Sequence, residues 1–453
     1  MSSSSNSAPC TVPPPTTAGA APLTGLALTG GGARAAYQVG VLGAIAALRR
    51  AAGQTRSGNP FPILAGTSAG AINAAVLASG SDHFDTAVRR LTDTWRSFHA
   101  TSVYHAGAFE ALRAGARWVS LLSLGWALTR WRQRQPHSLL DNAPLAALLR
   151  AQVPMERLPD LLQAGHLRAL AVTASSYTSS QHITFYDAAT PMPPWQRAQR
   201  RAVHTRIGVE HLLASSAIPF LFPAGQVRVN GSTHWYGDGS IRQIAPISPA
   251  IHLGAERILV IGAGRAHEAD AAGTHHAHPA AHTTPDTAQR AHAAARQNDA
   301  PYPSLAQVGG HALSSIFLDA LWADIERMQR INHTLSLVPP EARAQSPLRP
   351  IDLLVIAPSQ PLDALATQYV GELPASVRAL LGILGVQPND PRTGALASYL
   401  LFEPGYTQAL MALGWDDAMR QRTEIGAFFG WALPNDPKVR QAPSPTQPPT
   451  TYR

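Results

Sequence analysis

"FPILAGTSAG", residues 61–70, decides how the chain is read. A short apolar run ends in Gly66-Thr67-Ser68-Ala69-Gly70, and an Ala-rich run, "AINAAVLAS" (71–79), follows it. The first part has the composition of a buried strand, and the second is made of good helix formers. G-x-S-x-G at a strand–turn–helix joint is the pattern of a nucleophile elbow. In such a turn Ser68 takes a strained backbone conformation that projects its hydroxyl. Gly66 and Gly70 let the strand and the helix pass closely. The N–H groups after Ser68 and the positive end of the helix favour developing negative charge. A serine hydroxyl is a poor nucleophile without a base, so the open question is which residue takes the proton.

Working outward, the segments around this turn alternate between strand and helix. "LTGLALT" (23–29), "RILVIGAG" (257–264) and "IDLLVIAPS" (351–359) read as buried strands. "AAYQVGVLGAIAALRR" (35–50) reads as a helix with Val41, Ile45 and Leu48 on one stripe. "LRALAVTASSYTSS" and "HITFYDA" read as a strand pair, and "GVEHLLASSAI" as a helix. "QVRVNGSTHWYGDGS" carries a hairpin turn at Asn230-Gly231. "SLAQVGGHALSSIFLDALWADIERMQRINHTL" is one long helical pattern. Strands alternating with helices predict an α/β fold with a mostly parallel central sheet covered by helices on both faces.

Apolar residues make up 45% of the 453 and charged residues only 14%, enough for a sizeable core under a weakly charged surface. The net charge of +8 suits an anionic partner such as a lipid surface. The basic residues are mostly Arg and scattered, which argues against a nucleic acid. The one cysteine, Cys10, allows no disulfide within the chain and no Cys-based metal site. Residues 1–22 and 434–453 are rich in Ser, Thr, Pro and Ala and are expected to be disordered tails around one folded domain over 23–433. Residues 265–303 form a low-complexity insert, expected to be dispensable for chemistry. His275, His276, His278 and His282 give that insert metal-binding side chains, but its composition reads as a solvated loop, and no metal or cofactor is expected. No Sec signal is seen, and a cytoplasmic chain with peripheral membrane contact is expected.

"LALTGGGARAAYQVG" places Gly30-Gly31-Gly32 between a strand and a helix, where exposed backbone N–H groups make an anion site. A dinucleotide fingerprint requires an acidic residue about 20 positions on, and Arg34 to Ser81 contains no Asp or Glu. That leaves an oxyanion hole, or a tight turn without function. For the base, His252 is a candidate that nothing in its surroundings marks as catalytic, and His204, His211 and His234 read as surface or satisfied histidines. "WYGDGS" (235–240) holds Asp238 between Gly237 and Gly239 on a turn leaving a strand. Taken alone, such an Asp more often caps its turn.

"GGGARA", "GTSAG" and "DGS", in this order and spacing, resemble the patatin-like phospholipase family. "HLLASSAIPFLFP" (211–223), "IRQIAPISPAIHLGAERILVIGAG" (241–264) and "YLLFEPGYTQALMALGWDDA" (399–418) look similar too, and the resemblance spans about 24–430 less the insert. It implies a patatin-like three-layer fold and a Ser–Asp dyad without histidine, with Ser68 as nucleophile and Asp238 as base. Gly30, Gly31, Gly32 and Ala33 would line the oxyanion hole with Arg34 braced beside them, and Gly66, Gly70 and Gly239 would be the motif glycines. Two positions depart from the pattern: Ala35 replaces a Gly, and Ser240 stands where Gly or Ala is usual and could add a hydrogen bond to Asp238.

The implied activity is lipid acyl hydrolysis of phospholipase A type. The rivals are an acyl-thioester or small-ester hydrolase on the same site, and a catalytically silent lipid-binding module. A membrane dock is expected in "ALRAGARWVSLLSLGWALTRWRQRQ" (111–135), where Trp118, Trp126 and Trp131 accompany Arg117, Arg130 and Arg134 without any acidic residue. A core helix with solvated arginines is the competing reading of that segment.

Overall fold

The computed structural model describes residues 22–56, 58–104, 138–190, 192, 195–264, 304–387, 390 and 393–434. The 111–135 segment, the 265–303 insert and nearly all of both tails lie outside the described residues.

Ten described strands form one sheet: β1 (Thr24–Leu28), β2 (Ile63–Thr67), β3 (Ala169–Ser176), β4 (His182–Ala188), β5 (Gln196–Arg197), β6 (Arg200–His204), β7 (Gly225–Val229), β8 (Ser232–Asp238), β9 (Arg257–Ile261) and β10 (Asp352–Ile356). Their order is β10-β9-β1-β2-β3-β4-β6-β5, with β8 on β3 and β7 on β8. From β10 to β3 every pairing is parallel. The antiparallel pairings involve β3 with β4 and β8, β5 with β6, and β7 with β8. The β7–β8 hairpin turns on Asn230 (φ 49°) and Gly231 (φ 81°), the positive-φ pair that a two-residue turn requires.

The parallel strands β1, β2, β3 and β9 are buried on both faces almost throughout, so period 2 sorts their side chains into two cores. Leu26, Leu28, Leu64 and Leu259 join the larger core beneath helices α1 (Ala36–Ala51), α2 (Ala69–Ser79) and α3 (Phe84–Arg96). Ala27, Ile63, Ala65, Ile258 and Val260 face the other way, onto Leu253, Leu321, Ile325 and Met328. The flanking elements used below are α4 (Val209–Ser215), α5 (Leu305–Ser314), α6 (Ala320–Leu337), α7 (Leu362–Thr367), α8 (Gly394–Leu400) and α9 (Pro404–Arg420). Between α5 and α6 the chain makes a π-turn over Ser315–Asp319. The helix that the pattern predicts thus runs unbroken over 305–337, with a π segment inside it.

α1 and α9 cross with their backbones nearly touching. Gly40 faces the Met411 carbonyl and Gly414 faces the Tyr37 carbonyl, with no room for a side chain at either. Among the described residues, no helix is long and apolar enough to cross a membrane.

Candidate active site

Sheet register decides where Ser68 and Asp238 lie. β2 runs along one edge of β3 and ends with Thr67 opposite Thr173, their hydroxyls 2.7 Å apart. β4 occupies the other edge of β3. β8 therefore takes the edge that β2 has vacated, running antiparallel so that Asp238 stands opposite Ala174. The end of β2 and the end of β8 meet head to head. Residues 170 positions apart in sequence are thus joined by a hydrogen bond from Ser68 Oγ to Asp238 Oδ2 at 2.5 Å.

The turn at Ser68 has the strain the sequence predicts. Ser68 adopts φ 55° and ψ −130°, a region that side-chain-bearing residues rarely enter. Two contacts hold it there. The Ser68 N–H donates to Ser215 Oγ at 2.9 Å, and that hydroxyl donates to the Thr173 carbonyl at 2.6 Å. A Cβ on Gly66 would lie 2.5 Å from Ala71 Cα, and one on Gly70 would lie 2.5 Å from the Leu28 and Thr29 carbonyl oxygens. Only glycine fits at either place.

Asp238 is fully buried and Ser68 is 1% exposed. The Asp238 N–H donates to the Ala217 carbonyl at 2.8 Å, and Oδ1 accepts the Ser240 N–H at 2.9 Å. Burial pushes the Asp238 carboxyl up to about 6, against the hydrogen bonds from Ser68 and Ser240 that favour its charge. It is therefore a far better proton acceptor than a free carboxylate.

The Gly-rich turn opens as a short 3-10 turn over Gly32–Ala35 before α1. Gly32 has φ 55° and packs on the Tyr399 carbonyl. The first N–H groups of a helical turn, here those of Gly32 and Ala33, have no acceptor inside it. The Arg34 N–H, by contrast, is bonded to the Gly31 carbonyl at 3.1 Å. The Arg34 side chain is buried and points away from that turn. It donates to Ser398 Oγ at 2.7 Å, pairs with Asp363 on α7 and lies 4.0 Å over the Tyr399 ring. Arg34 thus ties the turn to α7 and α8 through its Nε and Nη2 groups. Phe317, from the π-turn, lies against Gly30 and stacks on Tyr399 at 5.0 Å.

The histidines stand apart from Ser68. His252 stacks on Trp195 at 4.7 Å, and burial drives it down to about 4. Among the described residues no hydrogen bond joins it to Ser68 or Asp238. His211 is buried rather than on the surface, its Nδ1 accepting the Gly208 N–H at 3.0 Å. His182, opposite Ser175, is buried next to the Gly239 turn and driven down to about 4, hence neutral. Ser215, Thr173, His182 and Phe317 escape the sequence reading. Each lies in a stretch read for its strand or helix pattern, and nothing in that pattern marks the residue as part of a site.

Residues 26–251 match the patatin-like phospholipase family, and the chain carries a patatin-like phospholipase domain there. That match ends before β9, which nonetheless pairs with β1 inside the same sheet. No curated protein matches the chain in sequence. Among solved structures, the crystal structure of VipD from Legionella pneumophila aligns at 13% identity and a TM-score of 0.30, covering 88% of this chain and 69% of that one. A likeness this loose carries no functional comparison.

Proposed function

We propose that the chain hydrolyses lipid acyl esters by a Ser–Asp dyad, Ser68 attacking and Asp238 serving as base. The observation that carries this is the 2.5 Å hydrogen bond from Ser68 Oγ to Asp238 Oδ2, made by a serine held at φ 55°. Ser68 Oγ attacks the ester carbonyl while its proton passes to Asp238. The oxyanion forms against the N–H groups at Gly31, Gly32 and Ala33. Asp238 then gives the proton to the leaving alcohol or lysolipid. Water, deprotonated by Asp238, hydrolyses the acyl-enzyme. The raised basicity of Asp238 supports a role that an ordinary carboxylate performs poorly.

The substrate class we propose is a membrane lipid met by peripheral contact, in keeping with the net charge of +8. The test compares wild type with Ser68→Ala on phospholipid, triglyceride, p-nitrophenyl ester and acyl-CoA, alongside fluorophosphonate labelling. Ser68-dependent turnover of phospholipid is the expected result. Turnover that survives Ser68→Ala would remove the nucleophile. Turnover of acyl-CoA alone would leave the dyad and change the substrate.

A further inference from the structure

The Ser240 side chain has no task in the scheme above, yet it is 4% exposed, and its hydroxyl lies close enough to the Asp238 carboxyl to favour its charge while making no well-directed hydrogen bond among the described residues. A buried hydroxyl without such a bond is costly to keep. Its position is specific. The Ser240 N–H fixes Asp238 Oδ1 at 2.9 Å, so the residue is anchored to the base. A Cβ on Gly30 would fall 2.5 Å from Ser240 Oγ, so the hydroxyl also lies against the Gly-rich turn. It therefore stands between the proposed base and the proposed oxyanion donors.

The two halves of the reaction make different demands there. In the free enzyme Asp238 Oδ2 is occupied by the Ser68 hydroxyl. Once Ser68 is acylated its oxygen carries no proton, and Oδ2 loses its donor. A water entering at that point donates to Oδ2 but needs at least one further polar partner to be held. Ser240 Oγ is the buried polar atom left over beside it.

We infer that Ser240 is a catalytic residue of deacylation, its hydroxyl holding the hydrolytic water against Asp238 Oδ2. The water oxygen attacks the acyl carbonyl carbon and its proton goes to Oδ2. The bond from that carbon to Ser68 Oγ breaks, the fatty acid leaves, and Asp238 returns the proton to Ser68 Oγ. This inference rests on the dyad reading.

The test follows the acyl adduct on Ser68 by quenched-flow and intact-mass measurement, with p-nitrophenyl butyrate, in wild type, Ser240→Ala and Ser240→Gly. Melting temperatures show whether the variants fold like wild type. In both variants the adduct should form at the wild-type rate and decay roughly tenfold more slowly, the loss of one hydrogen bond to a reacting group. Equal slowing of formation and decay would overturn the inference, because it would place Ser240 on the oxyanion or in the scaffold. Unchanged decay would overturn it too. Failure of a fluorophosphonate to label Ser68 in wild type is a separate outcome, and it would remove the dyad itself.

Discussion

Replacing Asp238 by Asn should abolish turnover and, at the same time, stabilise the fold. Asn has nearly the same shape. Its Oδ1 can still accept the Ser240 N–H and its amide can donate to Ser68 Oγ, while the Ser68 O–H loses the acceptor it has in wild type. The lost quantity is a buried charge. Burial raises the carboxyl from 3.8 to about 6, and each pH unit of such displacement is worth about 1.4 kcal/mol, or about 3 kcal/mol in all. Because the folded value is the higher one, the stability tied to this group is fully present below 3.8. It is lost as pH rises through about 6. Asn carries no such penalty. Asp238→Asn should therefore gain up to about 3 kcal/mol over wild type at pH 8, about half of that at pH 5, and only about 0.5 kcal/mol at pH 4. Urea denaturation of both proteins at pH 8, 5 and 4 measures it. A variant no more stable at pH 8, or a gain that does not change with pH, would refute the account of Asp238 as a desolvated carboxylate. Turnover should fall as far as in Ser68→Ala, since a dyad has no second base.

The remaining expectations concern the same site and its surroundings. In wild type, kcat/KM should rise with pH along a limb centred near the Asp238 value of about 6, because the carboxylate must be charged to take the proton; a limb at an ordinary carboxylate value would contradict it. Ser68→Gly should lose turnover yet gain roughly 1 kcal/mol in urea denaturation, because glycine relieves the strain at φ 55°. Gly70→Ala should cost roughly 2 kcal/mol or more, since its Cβ would meet two backbone oxygens of the neighbouring strand end at 2.5 Å; a neutral result would mean that α2 can slide. Trp118→Ala combined with Arg130→Ala and Arg134→Ala should weaken sedimentation with anionic vesicles while sparing a soluble short-chain ester. Equal loss on both would show that residues 111–135 belong to the core or to the site wall.

The sequence alone determined the strand–turn–helix at Ser68 because every force that makes it is local. An apolar run, small residues that must pass one another, and an Ala-rich helix follow within 20 positions, and β2 and α2 fall where those signals put them. The hairpin at Asn230-Gly231 is local in the same sense. Strands β5 and β6, at and next to one sheet edge, carried no such signal, being short, largely polar and mostly exposed. The π-turn at Ser315–Asp319 was equally hidden, because no Gly or Pro interrupts the helical pattern there.

"DGS" was legible as a motif, and it was the family resemblance, not any local signal, that paired it with Ser68. Only the shared edge of β3, where β8 begins as β2 stops, brings Asp238 to 2.5 Å from Ser68. Tertiary packing also set the chemistry of that carboxylate, since its basicity comes from removal from water and no neighbouring residue in the chain encodes that. The Ser215 hydroxyl on the Ser68 N–H, and the Ser240 hydroxyl against Gly30, are likewise contacts across long sequence separations. Local sequence fixes the shape of a turn, because its energies act within a few residues. Which two turns face each other, and how dry the space between them is, depends on sheet register and burial, and those exist only in the assembled fold.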